Sequence, residues 1–108
     1  MRVLVDQCLP RHLAAELNGH EATTVRAQRW LGLRNGVLLR AAVDAGFDVF
    51  ITNDSSLEFQ QNVKRIGIAV IALVGFRNRI QDLRAVVPRI LNELTTITRG
   101  QVITISRG

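Results

Sequence analysis

Six consecutive apolar residues at positions 68–73, with the sequence IAVIAL, constrain the fold more than any other feature of the chain. A strand with one face in water alternates apolar and polar residues, and this run contains no polar residue at all. Such a run is typical of a strand that is covered on both faces, as in the parallel sheets of α/β proteins. A chain that contains it needs helices on both sides of the sheet.

Strand-like and helix-like segments alternate along the rest of the chain. Five segments have the composition of strands: residues 2–5, 22–25, 48–52, 68–73 and 102–106. Four segments have apolar residues at helical spacing: residues 10–17, 35–45, 57–63 and 80–94. Pro88 predicts a kink or a break in the last of these helices. This order predicts an α/β fold, a small three-layer sandwich with a mostly parallel sheet of four to five strands.

Length and composition favour one folded domain over residues 1–108. Two domains in 108 residues would each be close to the smallest size that can build a core. With 47% hydrophobic and 21% charged residues, the chain is expected to fold rather than to remain disordered. The single cysteine, Cys8, excludes a disulfide framework and a zinc site built from cysteines.

The sequence has no segment that predicts a membrane partner. Asp6 interrupts the apolar run that begins at Val3, so a secretion signal is not expected. The longest uncharged apolar stretch, residues 66–76, has about half of the ~20 residues needed to cross a bilayer. The expected location is the cytoplasm.

Two acidic residues follow predicted strands, and they are the candidate catalytic and metal-binding residues. Asp6 comes directly after the first strand, and Asp54 comes two residues after Thr52 at the end of the third. Ligands of open α/β sheets bind outside the carboxyl ends of the strands, where these two side chains are expected. Carboxylates there can hold a hard cation such as Mg²⁺, and such an ion promotes phosphodiester hydrolysis. The simpler interpretation is that each acid caps the helix that follows it.

Four segments, taken in order, resemble the PIN-like DUF5615 family: RVLVDQCLPRHLAAEL at residues 2–17, WLGLRNGVLLRAA at 30–42, FDVFITNDSSLEFQQN at 47–62 and IAVIAL at 68–73. The resemblance extends from residue 2 to about residue 94. It implies a PIN-like fold with a Mg²⁺- or Mn²⁺-dependent ribonuclease site, often found in bacterial toxin–antitoxin proteins. The acid of the first strand corresponds to Asp6, and the acid of the T-x-D segment corresponds to Asp54.

The chain departs from the family's pattern where further acids are common. Gln7 occupies the position where relatives commonly have glutamate. Relatives also have an acid at the start of the helix, where this chain has NGV at residues 35–37. After T-x-D a further acid is common, and this chain has Ser55 there. Fewer carboxylates lower the negative charge that attracts a divalent ion. Four neutral polar residues are therefore candidates to supply oxygens or to position water: Gln7, Asn35, Asn53 and Ser55.

The net charge of +5 comes almost entirely from arginine. Lys64 is the only lysine among the 14 basic residues. The planar guanidinium suits phosphate, so a polyanion is a plausible partner, although a solvated basic face is the simpler interpretation. Arg77 and Arg79 follow the fourth strand, at the expected site edge, and are the candidate phosphate contacts. Trp30, between arginines, is interpreted as a packing residue rather than as a platform for bases.

The two acids and the resemblance together predict a metal-dependent endoribonuclease, and the resemblance further implies the toxin of a toxin–antitoxin pair. RNA is then the expected partner, and an antitoxin or a second copy of the chain are the protein partners considered. The alternative is a catalytically weakened PIN-like protein that binds RNA or a protein without efficient cleavage. A phosphoacceptor module of the receiver type would also use acids after strands one and three. It would need a lysine after a late strand, and Lys64 does not fit that position.

Overall fold

A five-stranded, fully parallel sheet forms the centre of this computed structural model, which describes residues 1–107 without the side chains of Asn35 and Leu57. The strands in chain order are β1 (Arg2–Val5), β2 (Glu21–Thr24), β3 (Val49–Thr52), β4 (Ala69–Val74) and β5 (Val102–Ser106). Their order across the sheet is β2-β1-β3-β4-β5. The predicted α/β sandwich is therefore confirmed.

Helices cover both faces of the sheet. In chain order they are α1 (His12–Ala15), α2 (Asn35–Asp44), α3 (Leu57–Ile66), α4 (Ile80–Leu83) and α5 (Val87–Leu94), with a 3₁₀ turn, Arg84–Val86, between the last two. Leu13, Leu83 and Ile90 of α1, α4 and α5 belong to one core cluster, and Leu39 and Val63 of α2 and α3 belong to another. Within residues 1–107, no helix is long and apolar enough to span a membrane.

Strand β4 confirms the prediction from the IAVIAL run. Its first five residues are buried, and only Val74 at its end is partly exposed. Ile71 and Leu73 pack in the core on the side of α5, while Val70 packs in the core on the side of α3. Since successive side chains of a strand point to opposite faces, an unbroken apolar run fills both cores at once.

Two helix boundaries differ from the sequence pattern, and one predicted break is confirmed. The helix predicted at residues 10–17 shrinks to the four residues of α1, whose start has no capping side chain. Helix α3 continues past Val63 until Gly67, which ends it in the left-handed conformation with φ 86°. The break predicted at Pro88 is confirmed, because this proline lies in the first turn of α5, where its missing N–H costs nothing.

The topology places a ligand-binding crevice at the carboxyl ends of β1 and β3. These strands are hydrogen-bonded neighbours, and Val5 pairs with Ile51. The chain leaves β1 towards β2 on one side and then crosses over to β3 on the other. A crevice opens where the strand order reverses in this way, and ligands of α/β sheets bind there.

Candidate functional site

Asp6 is held at the end of β1 by contacts with the neighbouring strand. Its backbone N–H donates to the carbonyl of Ile51 at 2.9 Å, which extends the ladder between β1 and β3 by one residue. Its Oδ2 accepts the hydroxyl proton of Thr52 at 2.7 Å, and its Oδ1 accepts the backbone N–H of Gln7 at 2.8 Å. These bonds fix the direction of the carboxylate, which is half-buried.

Thr52 connects the two candidate acids through one hydroxyl group. Its side chain is 0% exposed, and it is the one polar residue buried in the described part of the chain. The hydroxyl donates to Asp6 and accepts the backbone N–H of Asp54 at 3.1 Å. A buried hydroxyl with both roles filled stabilises the arrangement of both loops around it.

Asp54 lies in the loop between β3 and α3 and does not cap the helix. Its Oδ1 accepts the backbone N–H of Ser56 at 2.9 Å. Ser56 is the N-cap, and its hydroxyl accepts the N–H of Phe59 at 3.2 Å. At the start of α1, Arg11 occupies the N-cap position and no side chain caps it. The interpretation of Asp6 and Asp54 as helix caps is therefore wrong.

Both carboxylates line one cavity of about 290 Å³, which we call the carboxylate cavity. The predicted convergence of Asp6 and Asp54 at one edge of the sheet is thus observed. Phe50 and Phe59 contribute apolar walls, and Gln7 and Arg34 contribute polar ones. The low polarisability of such walls strengthens the interaction of the carboxylates with a bound cation.

The donors in the carboxylate cavity fit a hard divalent cation. Mg²⁺ is commonly held by one or two carboxylates, while waters and substrate phosphate complete its shell. Asp6 Oδ1 accepts one hydrogen bond, and Asp54 Oδ2 accepts none from the described residues, so both keep free lone pairs. In the part of the chain that the structure describes, no three residues among His, Cys, Asp and Glu gather as a metal site. The two carboxylates would therefore act with water and neutral oxygens.

The four neutral candidates have different positions. Gln7 lines the carboxylate cavity. Asn53 is exposed, and its Oδ1 accepts the thiol proton of Cys8 at 3.0 Å. Ser55 is exposed and contributes its backbone carbonyl to the Gln60 amide. The side chain of Asn35 lies outside what the structure describes.

The arginines beside Asp6 differ from those chosen from the sequence. Arg77 and Arg79 lie after β4 at the carboxyl edge of the sheet, but neither lines a described cavity that contains Asp6. Arg79 is also paired with Asp82 at 3.0 Å. Arg34 lines the carboxylate cavity, and Arg11 and Arg26 line a second cavity that shares Asp6.

A sequence signal for Arg26 and Arg34 existed. Arg26 lies just after β2, the strand that pairs with β1 on its other side, and Arg34 ends the loop that follows. With the strand order known, every loop after a strand is a candidate, whereas the sequence pattern alone does not give that order.

The phosphoacceptor interpretation needs a lysine near Asp54, and the fold places Lys64 elsewhere. Its strand order, β2-β1-β3-β4-β5, is the one that receiver domains have. Lys64, however, lies in the last turn of α3, which leads back to the amino end of β4. The only lysine is therefore at the edge of the sheet opposite to Asp54.

Replacing Thr52 by valine is expected to lower the free energy of unfolding by about 1–3 kcal/mol, since Asp6 and the Asp54 N–H each lose a bond partner. Valine has nearly the shape of threonine, so packing changes little. Urea unfolding followed by circular dichroism measures the effect. The control is Thr52→Ser, which keeps the hydroxyl and loses one methyl group. A valine variant as stable as the wild type would contradict this role of the hydroxyl.

Cys8 is expected to react slowly with iodoacetamide. The pKa of its thiol is raised from 9.0 to about 11; burial is the main cause, a backbone hydrogen bond with Asn53 opposes it, and the charge of Asp6 adds to it. The thiolate population below pH 9 is then about 100-fold smaller than for the unfolded chain. Mass spectrometry of alkylation against pH should show a rate that keeps rising above pH 9.

The sign of this shift also predicts a loss of stability at high pH. Between pH 9.0 and about 11 the unfolded chain releases the thiol proton while the folded chain keeps it, so stability falls with rising pH. The urea-unfolded protein is the control for the alkylation rate. A folded protein whose rate levels off near pH 9, as the unfolded one does, would contradict the raised pKa.

Neither a family model, nor a curated protein, nor a solved structure matches this chain. The resemblance to the PIN-like family therefore stays a prediction that depends on the quoted segments. The contacts around Asp6, Thr52 and Asp54 are independent of it.

Proposed function

We propose that this protein is a metal-dependent endoribonuclease of the PIN-like type, in which Asp6 and Asp54 hold Mg²⁺ or Mn²⁺. One observation carries the proposal: both carboxylates line the same cavity, at the point of the sheet where the strand order reverses. Fold and strand order alone do not support an activity, because this architecture serves many functions. The role as a toxin stays a prediction from the resemblance.

The metal would supply Lewis-acid polarisation of a phosphoryl oxygen and a nucleophilic hydroxide at neutral pH. The protein's part is to keep two ionised carboxylates close together in a fixed direction. Thr52 and the backbone N–H of Gln7 hold Asp6, while Ser56 holds Asp54 through its N–H. Each of these bonds goes to an ionised acceptor, which makes it stronger than a neutral hydrogen bond.

Arg34 supports a phosphate-containing substrate. It lines the same cavity as the two carboxylates, on the loop that leads into α2. A guanidinium there can bind the non-bridging oxygens of a phosphodiester and offset the charge that develops during hydrolysis. The net charge of +5 attracts a polyanion to the surface in general.

The proposal is tested by metal binding and cleavage measured together. Calorimetric titration with Mn²⁺ is expected to show binding to the wild type, and weaker binding to both Asp6→Asn and Asp54→Asn. Single-stranded RNA should be cleaved in Mg²⁺ or Mn²⁺ and left intact in EDTA. A wild-type protein that neither binds Mn²⁺ nor cleaves RNA would overturn the proposal.

A second candidate function is RNA binding without efficient cleavage. The observation that favours it is the charge of the carboxylate cavity, which combines two carboxylates with the guanidinium of Arg34. The positive charge offsets part of the attraction that a divalent cation would feel. Under this alternative the wild type binds RNA equally in EDTA and in Mn²⁺. The rate at which RNA is degraded is then low, and it is the same for the wild type and for variants of Asp6.

A further inference from the structure

A second cavity adjoins the first across Asp6. It has a volume of about 220 Å³ and lies on the side of β2, and we call it the arginine cavity. Asp6 and Gln7 line both cavities, so these two residues form a common wall. The other polar residues of the arginine cavity are Arg11, Thr24 and Arg26, from the start of α1 and from β2 and its following turn.

We propose that the arginine cavity binds the phosphate next to the one that is cleaved, so that one polynucleotide strand crosses the wall formed by Asp6 and Gln7. The position of this phosphate relative to the cleaved bond depends on the proposed function. Binding of the phosphate itself depends only on the residues of the arginine cavity.

The charges of the arginine cavity suit an anion. Arg11 and Arg26 are exposed, and among the described residues neither is part of an ion pair, in contrast to Arg2, Arg79 and Arg84. The cavity is lined by these two arginines and by one acid, Asp6, whose oxygens already accept protons from Thr52 and Gln7. The cavity therefore keeps a net positive charge, and phosphate is the anion that guanidinium donors fit best.

Two neutral groups can donate to the same anion. Thr24 Oγ1 accepts the N–H of Ala27 at 3.0 Å, and its own proton has no acceptor among the described residues. The side-chain amide of Gln7, which is exposed and lines the cavity, has N–H donors as well. A glutamate at this position would repel phosphate, whereas the amide can bind it. A phosphate in this cavity would thus meet four side chains that donate hydrogen bonds.

Backbone hydrogen bonds hold the turn after β2 that carries Arg26. The N–H of Gln28 donates to the Thr24 carbonyl at 3.1 Å, and that of Trp30 donates to the Val25 carbonyl at 3.0 Å. The Trp30 ring packs edge-on against Phe47 with centroids 6.0 Å apart, which confirms that it is a packing residue. The backbone that carries Arg26 is therefore ordered before phosphate binds, which lowers the cost of ordering this turn on binding.

The backbone of Arg29 also indicates that this turn is constrained. Its φ of 63° makes it the one described residue other than glycine with a positive φ. An arginine in the left-handed region costs about 1 kcal/mol or more compared with ordinary backbone. The hydrogen bonds on both sides of Arg29 hold this conformation, which tightens the turn behind Arg26.

The test measures binding of a short fluorescein-labelled single-stranded RNA by anisotropy, in EDTA, at several salt concentrations. The variants are Arg11→Gln, Arg26→Gln and the double variant. The control is Arg99→Gln, which removes the same charge at the opposite edge of the sheet: Arg99 is exposed, and the N–H of its neighbour Gly100 bonds to Ile68, just before β4. Urea unfolding verifies that the four variants fold.

Arg11→Gln and Arg26→Gln are each expected to weaken RNA binding by about fivefold to tenfold, because each removes a charged hydrogen bond to phosphate. The slope of log K against log salt should fall by about 0.7 for each lost phosphate contact. Arg99→Gln should change the affinity by less than about twofold, since surface charges far from the ligand are screened.

Two results would overturn the inference. The first is an Arg99→Gln variant that weakens binding as strongly as Arg26→Gln does, since equal losses would mean that only net charge matters. Inorganic phosphate, titrated alone by calorimetry, should bind more weakly than the RNA. The second overturning result is tighter binding of this free ion, because a small phosphate would then be the occupant of the cavity.

These outcomes are separate from those that test the nuclease. A wild type that does not cleave RNA in Mn²⁺ but whose RNA binding depends on Arg11 and Arg26 overturns the nuclease and leaves the phosphate site. A wild type that cleaves RNA but binds it equally well without these arginines overturns the phosphate site alone.

Discussion

Replacing Asp6 by asparagine is expected to lower the rate of RNA cleavage by about 100- to 1,000-fold, since a bound metal contributes several kcal/mol to the reaction and each 1.36 kcal/mol is tenfold. Asparagine lacks the negative charge that attracts the cation. Its carbonyl oxygen can still accept the proton of Thr52, which now bonds to Asp6 at 2.7 Å. The fold should therefore survive while metal binding is weakened. Initial rates with a labelled RNA at saturating Mn²⁺ measure the effect.

The matched control for this variant is Asp44→Asn. Asp44 is exposed at the carboxyl end of α2, a ten-residue helix whose other end follows Arg34 of the carboxylate cavity, and its loss changes the net charge by the same amount. It should leave the cleavage rate within about twofold of the wild type, as expected for screened surface charges. Equal rates for Asp6→Asn and the wild type would contradict a catalytic carboxylate at this position.

Replacing Phe50 by alanine is expected to lower the free energy of unfolding by about 3–5 kcal/mol, the usual cost of removing a large buried aromatic side chain. Phe50 is 1% exposed in the middle of β3, and its ring lies 6.1 Å from that of Phe59 between centroids. A domain of this size has a total stability of about 5–15 kcal/mol, so the variant would be close to unfolding. Urea unfolding curves measure the difference.

Phe76→Ala is the control for this prediction. Phe76 is only partly buried, at the edge of the core on the side of α5, and removal of its ring should cost clearly less. Because Phe50 also lines the carboxylate cavity, its loss should weaken Mn²⁺ binding in the fraction that stays folded. If Phe50→Ala and Phe76→Ala had the same free energy of unfolding, the central position of Phe50 in the core would be contradicted.

Much of the fold could be predicted because strands and helices differ in the spacing of their apolar residues. The bounds of β1 and β5 agree with the prediction, and β3 and β4 differ from it by a single residue at their ends. Helix ends were less predictable, since they depend on local contacts. The Gly67 that ends α3 lies one turn beyond Val63, and the short α1 lacks any capping side chain.

The site could be predicted in part. The positions of Asp6 and Asp54 after strands indicated that they meet, and this needed only the rule for parallel sheets. Thr52 was not predicted to connect them, because a threonine at a strand end usually has no such partner. The contacts of its hydroxyl depend on the register between β1 and β3, in which Val5 pairs with Ile51.

By itself, the sequence determined that the chain forms a parallel α/β sheet with both faces covered and with two acids at its carboxyl edge. These properties follow from local patterns, since an unbroken apolar strand has no face to offer to water. Only the tertiary structure decided the strand order, and with it the neighbours of Asp6. Arg11, Arg26 and Arg34 line its two cavities, whereas Arg77 and Arg79 do not. Loops far apart in sequence become neighbours only when strands pair, and no local pattern encodes that pairing.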